Sequence, residues 1–383
     1  MLSSISKYLL FIFITCIIFN CKKPFNPVPL TARTNYLVVD GFINTGLNGV
    51  TTINLSRARS LSDSTYDVLP EGNASVDIES SSGDSYPLQQ VSSLAYSSNP
   101  LNLDINQKYR VHVTTSNGEQ YLSDFVTVKQ SPPIDSVTWQ QDNGVNIYVN
   151  THDATNNTRY YRWDYTETWE HNAFYEISWG VKDHIIFSVT YVTYATYTYH
   201  CWSDSNSTSI ILGTSAALSQ DVISKQLVRV IPNNNEKIGI RYSILVRQYA
   251  LTPEAYQYWG IIQKNTQGIG TLFDVQPSQL HGNIASVSDL SEPVIGFISA
   301  GSVQEKRIFI DHLDLANWSP PPSQLYCPIK NIPQNSNFLY YDYPDTTYVP
   351  YYFTSGGGLN ITKSYCLDCR VQGGTNLKPP FWQ

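Results

Sequence analysis

The chain has 383 residues, and its 24 Lys and Arg against 31 Asp and Glu give a formal net charge of −7. Only 14% of the residues are charged and no long Lys/Arg cluster occurs, so the composition argues against a nucleic acid as partner. A chain of this length exceeds one ordinary hydrophobic core, which predicts two domains. Many Tyr, Val, Ile and Thr residues, interrupted by Gly, Pro and Asn, are typical of a mainly β protein.

The N-terminus has the pattern of a secretory signal peptide. Lys7 provides the positive charge, and residues 8–19 form the apolar run. A membrane-spanning helix needs about 20 apolar residues, so this run is too short to be an anchor. Ile18, three positions before Cys21, resembles the start of a bacterial lipobox and predicts that Cys21 becomes the lipidated N-terminus. Cys16 is the alternative lipobox cysteine.

The residues that follow Cys21 have the composition of a tether. The stretch KKPFNPVPL is polar and rich in proline. Several acyl chains on one residue hold a protein to a membrane durably. Cys21 is therefore predicted to be a lipid anchor and not a metal or redox ligand.

Four cysteines remain for disulfides: Cys201, Cys327, Cys366 and Cys369. Disulfides persist in exported proteins, and four cysteines allow three connectivities. A zinc site is the alternative, although its ligands usually come as two Cys-x-x-Cys pairs. A redox pair would need a helix directly after a strand. Residues three apart face opposite sides of a strand, so Cys366 and Cys369 are expected to bond different partners, unless Leu367–Asp368 forms a tight turn.

Short alternating segments after the tether predict the first domain. In the stretch KYRVHVTTSNGEQYLSDFVTV, Tyr109, Val111 and Val113 alternate before a turn at Asn117–Gly118, which is typical of a β-hairpin. Several such strands over about a hundred residues predict an immunoglobulin-like or related β-sandwich. Residues 131–137 (SPPIDSV) are predicted to be a linker, because proline cannot continue a β ladder.

The second half of the chain contains further strand patterns and one helix pattern. In YYRWDYTETWE, alternation places Tyr161, Trp163 and Tyr165 on one face of a strand and Arg162 and Asp164 on the other.

The helix is predicted to begin after Thr252, which is a suitable N-cap. Pro253 is favoured at the first helical position, Glu254 lies in the first turn, and Gly268 follows the end.

The sequence therefore predicts a mainly β chain, with an N-terminal immunoglobulin-like β-sandwich followed by a larger β-rich domain with one or few helices. The segments are a signal peptide at 1–20, the lipidated cysteine and tether at 21–33, the sandwich at 34–130, a Pro-rich linker at 131–137, and the β-rich domain with its disulfide-linked tail at 138–383.

Motifs for catalysis or nucleotide binding are absent from the sequence: it has no His-Glu-x-x-His, Gly-x-Ser-x-Gly, Walker loop or Gly-x-Gly-x-x-Gly. No catalytic residue, metal or cofactor is predicted. His152–Asp153 could begin a metal or acid–base site, with a polar loop as the alternative. Asp164 and Glu167 could be the paired carboxylates of a glycoside hydrolase, with ion pairs to arginine as the alternative.

Aromatic side chains are the remaining candidates for binding. Exposed Trp and Tyr stack on sugars and anchor protein interfaces. The candidate binding aromatics are Tyr161, Trp163, Tyr165, Trp169 and Trp202, and burial in a core is the alternative for each.

The order of these landmarks resembles one known family. The blocks "LVVDGFI", "PPIDSV", "YYRWDYTETWE", "RYSILVRQYAL", "GTLFDVQPSQLHGNI" and "CLDCR" follow one another as in the Bacteroidota lipoprotein family called domain of unknown function 4249. The resemblance extends from about residue 34 to 382. It implies an outer-membrane lipoprotein, often encoded beside a TonB-dependent receptor of the SusC type. It implies no enzymatic activity, so no catalytic residue is carried over.

These observations predict a lipid-anchored accessory or binding lipoprotein of the outer membrane. Its partners would be the membrane, through the acyl chains on Cys21, a TonB-dependent β-barrel receptor for nutrient uptake, and a glycan or peptide ligand. The alternatives are a secreted carbohydrate-active hydrolase and a structural envelope-assembly lipoprotein. The cell surface is the expected location. The periplasmic face stays open, because no acidic residue follows Cys21 before Asp40.

Overall fold

The computed structural model describes residues 35–59, 68–176, 179–182, 185–188, 198–267, 282–320, 326–333 and 348–382. The predicted signal peptide, Cys21 and the tether lie outside the described residues, as does Gly268. Strands dominate the described chain, which confirms the mainly β prediction. No helix within the described ranges is long and apolar enough to cross a membrane.

The structure contains 24 strands in the described residues. Strands β1 to β9 span Leu37–Asn44, Thr52–Arg57, Leu69–Pro70, Ser75–Ser80, Ser85–Gln90, Ala95–Ser97, Lys108–Thr114, Gln120–Ser123 and Val126–Lys129. Strands β10 to β18 span Ile134–Gln141, Gly144–Asp153, Tyr160–Asn172, Trp179–Lys182, Ile185–Ser188, His200–Asn206, Ile211–Thr214, Asp221–Pro232 and Arg241–Ala250. Strands β19 to β24 span Ile284–Ser286, Ser299–Gly301, Val303–Asp311, Lys330–Ile332, Tyr348–Phe353 and Leu359–Lys363.

Helices form a small part of the described chain. The α-helix, α1, spans Pro253–Gln267. Short 3₁₀ helices span Glu236–Ile238, His312–Asp314, Ser364–Cys366 and Cys369–Gln372.

Eight strands form a closed, barrel-like N-terminal ring in the order β7-β4-β5-β6-β2-β1-β20-β9, because β9 pairs with both β20 and β7. The ring encloses a core that includes Leu37, Ile53, Ile78 and Tyr109. The predicted hairpin is confirmed: β7 and β8 pair, and Gly118 takes a positive φ of 86° in the turn between them. The pairing is that of one ring and does not divide into the two separate sheets of an immunoglobulin-like sandwich.

The N-terminal ring is not continuous in sequence. Strand β20 lies between β1 and β9 and is parallel to both, and β19 pairs with β8. Both strands belong to residues 284–301, which the sequence analysis assigned to the C-terminal domain at 138–383. A single domain boundary at residues 131–137 therefore does not describe this fold.

Two sheets of the C-terminal half share one hydrophobic core. A three-stranded sheet has the order β10-β11-β17, and a five-stranded sheet has the order β15-β12-β18-β21, with β16 also paired to β12. The alternation predicted for β12 is confirmed, because Tyr161, Trp163 and Tyr165 are buried in this core whereas Arg162 and Asp164 lie on the opposite face.

Helix α1 begins as predicted. The Ala255 amide donates to the Thr252 side-chain oxygen at 3.2 Å, so Thr252 is the N-cap, and Pro253 is the first helical residue. The helix packs its buried face against Tyr249 and neighbouring apolar side chains. The Arg162 guanidinium lies over the rings of both Tyr249 and Trp259, at 4.7 and 4.4 Å, and so joins the helix to the sheet.

Two disulfides hold the C-terminal tail, residues 364–382. Cys201 bonds Cys369 and Cys327 bonds Cys366, so the two cysteines of the Cys-x-x-Cys pair have different partners. The expected local structure was wrong, because the pair lies on two consecutive 3₁₀ helices and not on a strand.

The tail also packs on the outer face of the five-stranded sheet. The ring of Trp382 meets Trp202 and Phe309 edge-on, with ring centroids 6.4 and 5.6 Å apart. Thr375 and Trp202 exchange backbone hydrogen bonds at 2.8 and 2.9 Å. The end of the chain is therefore part of the folded unit.

We expect the two disulfides to contribute unequally to stability. The Cys201–Cys369 bond closes a loop of 168 residues and the Cys327–Cys366 bond a loop of 39. Loop-closure entropy then predicts that the double variant Cys201→Ser/Cys369→Ser loses about 1 kcal/mol more unfolding free energy than Cys327→Ser/Cys366→Ser. Urea unfolding of both variants measures the difference, and the reverse order would contradict the prediction.

Candidate functional site

A cavity of about 460 Å³ lies between helix α1 and strands β9 and β20 of the N-terminal ring. We call it the junction cavity. Its walls come from four separate parts of the chain, namely residues 124–129, 250–261, 282–283 and 297–300. Small-molecule sites typically have volumes of about 300–1,000 Å³ and favour such meeting points between structural units.

Asn283 fixes one wall of the junction cavity. Its amide group donates to the Ile298 carbonyl at 2.9 Å, and its side-chain oxygen accepts from the Ile298 amide at 2.8 Å. The Asp124 amide donates to the Asn283 carbonyl at 2.7 Å. These three bonds hold the segment 282–283 between strand β20 and the start of β9.

Three aromatic rings form the apolar side of the junction cavity. Tyr258 of helix α1 and Phe297 pack together with ring centroids 5.2 Å apart, and burial raises the pKa of Tyr258. Phe125 is 39% exposed, and the Arg110 guanidinium lies 4.6 Å from the centre of its ring. Phe125 is therefore held in place and still presents surface to the cavity.

Polar groups line the other side of the junction cavity. Ser299 is only 8% exposed, and its hydroxyl is buried without a hydrogen-bond partner. The lining also contains Lys129 and two exposed carboxylates, Asp124 and Glu254. An unsatisfied buried hydroxyl is uncommon in proteins and calls for a partner. The arrangement can thus accept and donate hydrogen bonds to a bound molecule.

Lys129 also lines a second groove, of about 570 Å³, beside the linker. There the exposed imidazole of His152 contacts the Asp135 carboxylate at 2.8 Å. The hydrogen bond and the charge of Asp135 raise the pKa of His152. Asp153 instead closes its own loop, since its carboxylate accepts from Thr155, Asn157 and Thr158.

His152 and Asp153 therefore form no joint metal or acid–base site. Burial works against ionisation of Asp153, but the hydrogen bonds from Thr155 and its neighbours outweigh it and lower the pKa of that carboxyl. Among the described residues, no group of three or more His, Cys, Asp or Glu could hold a metal ion.

Asp164 and Glu167 do not form the paired carboxylates of a glycosidase, because they lie on opposite faces of β12. Asp164 pairs with Arg247 at 2.6 Å and lies 3.8 Å from Arg162.

Glu167, 2% exposed, is surrounded by donors inside the core. Its carboxylate contacts Arg229 at 2.9 Å, Lys237 at 2.6 Å and the Tyr242 hydroxyl at 2.8 Å. Burial and the charge of Glu167 raise the pKa of Tyr242 well above its usual value. Both acids are therefore ion-pair partners, as the alternative prediction had it.

The five candidate binding aromatics belong to the interior. Tyr161, Trp163 and Tyr165 are buried in the shared core, and Trp202 is buried under the tail. Trp169 is half-buried against the same core, with the Lys237 ammonium 4.4 Å from its ring centre. The prediction of a surface binding role is wrong for the four buried rings. Three lie on the face of β12 that is turned toward the shared core, and the tail covers the fourth, Trp202.

The functional candidates that sequence reasoning missed are those of the junction cavity. Phe125 follows an acidic residue at the end of an ordinary hairpin, and Ser299 is one of many serines, so neither forms a motif. Phe125 becomes part of a cavity only because residues 284–301 pair with strands of the N-terminal ring, and no local sequence pattern indicates that pairing.

Comparison with known proteins identifies the family. A model described as "Domain of unknown function (DUF4249)" matches residues 22–307, about three quarters of the chain. The chain belongs to this family. The match covers every segment that lines the junction cavity and ends before the cysteines of the tail. A search of curated proteins finds no match.

We expect His152 to titrate above its usual pKa, because its charged form is stabilised by Asp135. A raised pKa in the folded state stabilises the fold fully below the unfolded value of about 6.5, and this contribution is lost as the pH rises through the folded value. NMR titration of the imidazole in the wild type and in Asp135→Asn measures the shift. Equal pKa values in the two proteins would contradict this account.

Proposed function

We propose that this DUF4249 protein is a non-catalytic binding lipoprotein, anchored to the outer membrane through Cys21 and working with a TonB-dependent transporter of the SusC type. The observation that carries the binding role is the junction cavity, where exposed aromatic surface and an unsatisfied hydroxyl occur together. The anchor is supported by the lipobox-like sequence before Cys21 and by the Pro-rich stretch after it. The cell surface is the location that suits capture of a nutrient.

The hydrolase alternative finds less support. The two carboxylates considered for it lie on opposite faces of one strand and are paired with basic side chains. The His171 imidazole and the Ser203 hydroxyl do share a hydrogen bond of 2.8 Å. Gly374 of the tail covers that imidazole, since a Cβ there would lie 2.6 Å from its Nε2. His171 is half-buried and Ser203 is buried, so a substrate cannot reach this hydrogen bond and its role is structural.

The envelope-assembly alternative would need a large apolar surface for a protein partner. The most exposed apolar side chains, Leu47, Leu290 and Leu313, are far apart in the sequence. The first two lie in turns, and Leu313 lies in the 3₁₀ helix His312–Asp314. The junction cavity, which is concave and mixed in polarity, suits a small ligand better.

Replacing the anchor cysteine tests the membrane attachment. We expect Cys21→Ala to lose metabolic labelling with a palmitate analogue and to leave the membrane fraction, because no acyl chain can be attached. Cys16→Ala is the matched control and should be labelled like the wild type. Loss of the label in Cys16→Ala with a normal label in Cys21→Ala would show that the wrong cysteine was assigned.

Affinity capture tests the transporter partner. We expect a protein tagged in the exposed turn at Leu47, which leaves the buried Trp382 and the tail undisturbed, to co-purify with a large TonB-dependent β-barrel receptor from detergent-solubilised membranes. The matched control is the same tag on residues 1–34 alone. Absence of any such receptor from repeated captures, or its equal recovery with the control, contradicts the proposed partnership.

A further inference from the structure

We propose that the junction cavity binds a neutral disaccharide, with the Phe125 ring against an apolar sugar face and the Ser299 hydroxyl and the acidic side chains bonded to sugar hydroxyls. This inference rests on the proposed function and names its ligand class.

The junction cavity carries charges of both signs, which suits a neutral ligand with many hydroxyl groups. Asp124 and Glu254 are exposed and form no ion pair with another described residue, and Lys129 is the cation among the described lining residues. An anion would meet the two carboxylates, and a cation would meet the lysine. A neutral polyol can use both signs, because each sugar hydroxyl donates to a carboxylate or accepts from an ammonium group.

The aromatic side of the junction cavity favours a ligand with one apolar face. Arg110 occupies one side of the Phe125 ring at 4.6 Å, and its own charge is paired with Glu79 at 2.6 Å. Phe125 cannot turn into the core without losing this contact, and it remains 39% exposed. The C–H face of a pyranose fits such a ring, whereas a fully polar molecule would leave its exposed surface without an apolar partner.

The Ser299 hydroxyl favours a ligand that can both donate and accept. It lies on β20, opposite Phe42 of β1 in the parallel pairing, and has no protein partner. A buried hydroxyl without a partner weakens a fold, and a ligand group at this position would complete its hydrogen bonding. A sugar hydroxyl has both capacities.

Isothermal titration calorimetry tests the inference on the full-length lipoprotein. The detergent must lack a sugar headgroup, so lauryldimethylamine oxide is suitable. The probes are maltose, cellobiose, lactose, xylobiose, mannobiose and chitobiose at millimolar concentration, with glutamate and spermidine as charged comparisons. We expect saturable binding of at least one disaccharide and none of the charged compounds.

Two cavity variants then locate the binding. Phe125→Ala should weaken saccharide binding about tenfold, because one stacking contact is lost. Ser299→Ala should weaken it about three- to tenfold, because one hydrogen bond is lost. The matched controls should bind like the wild type. Phe174→Ala removes a ring of similar exposure, 41%, outside the cavity, and Thr45→Val removes another buried hydroxyl that has no partner. Thermal unfolding confirms that all four variants are folded.

Three results would overturn the inference: no saturable heat with any saccharide, preference for glutamate or spermidine, or undiminished binding by both folded cavity variants. These failures differ from a failure of the proposed function. Capture of a receptor without saccharide binding removes only the ligand class, and saccharide binding without a receptor removes only the transporter partnership.

Discussion

The amide of Gln248 is the interaction on which the arrangement of the two halves depends. This side chain is fully buried in the shared C-terminal core. Its oxygen accepts from the Trp163 indole at 2.9 Å, and its nitrogen donates to the Pro132 carbonyl at 2.7 Å. The same nitrogen lies 3.1 Å from the hydroxyl of Thr151, which donates in turn to the Pro133 carbonyl. A buried amide is stable only when its partners are complete, so the linker must lie where it does.

The linker in turn aligns the N-terminal ring. The Ser131 amide donates to the Ser302 hydroxyl at 2.9 Å, and the Ser302 amide donates to the Lys129 carbonyl at 3.1 Å. These bonds join the strand that leaves the ring to the strand that returns to it. Gly301 permits the contact, because a Cβ there would lie 2.1 Å from the Lys129 carbonyl oxygen. The junction cavity exists because this alignment brings helix α1 beside strands β9 and β20.

Local patterns could be predicted from the sequence because their causes are local. The alternation of β12, the Asn117–Gly118 turn and the Thr252 cap all follow from side-chain periodicity or backbone preference, and the structure has each of them. The ring could not be predicted in the same way. Its closing strand β20 has three residues, and each of them pairs with a residue of β1 that lies 257 positions earlier in the sequence. No short-range signal encodes such a pairing.

The role of the aromatic side chains was ambiguous for a different reason. Tyr161, Trp163 and Tyr165 alternate in the sequence, and this pattern gives the same prediction whether the shared face is a core or a binding surface. Which of the two occurs depends on the second sheet, whose strand β17 begins more than fifty residues later. The sequence therefore predicted which side chains share one face of β12, but not whether that face is buried or exposed.

The same environment indicates where function can reside. Two carboxylates of the C-terminal core are used up by neighbouring groups: Glu167 has two cationic partners and a phenol, and Asp221 accepts from the hydroxyls of Tyr161 and Ser215. Such complete networks stabilise a fold but leave no hydrogen-bonding capacity for a ligand. The junction cavity differs, because the Ser299 hydroxyl is unpaired there beside exposed carboxylates and the Phe125 ring. Unused hydrogen-bonding capacity next to exposed apolar surface is what a binding protein must retain, which makes this cavity the strongest functional candidate in the described part of the chain.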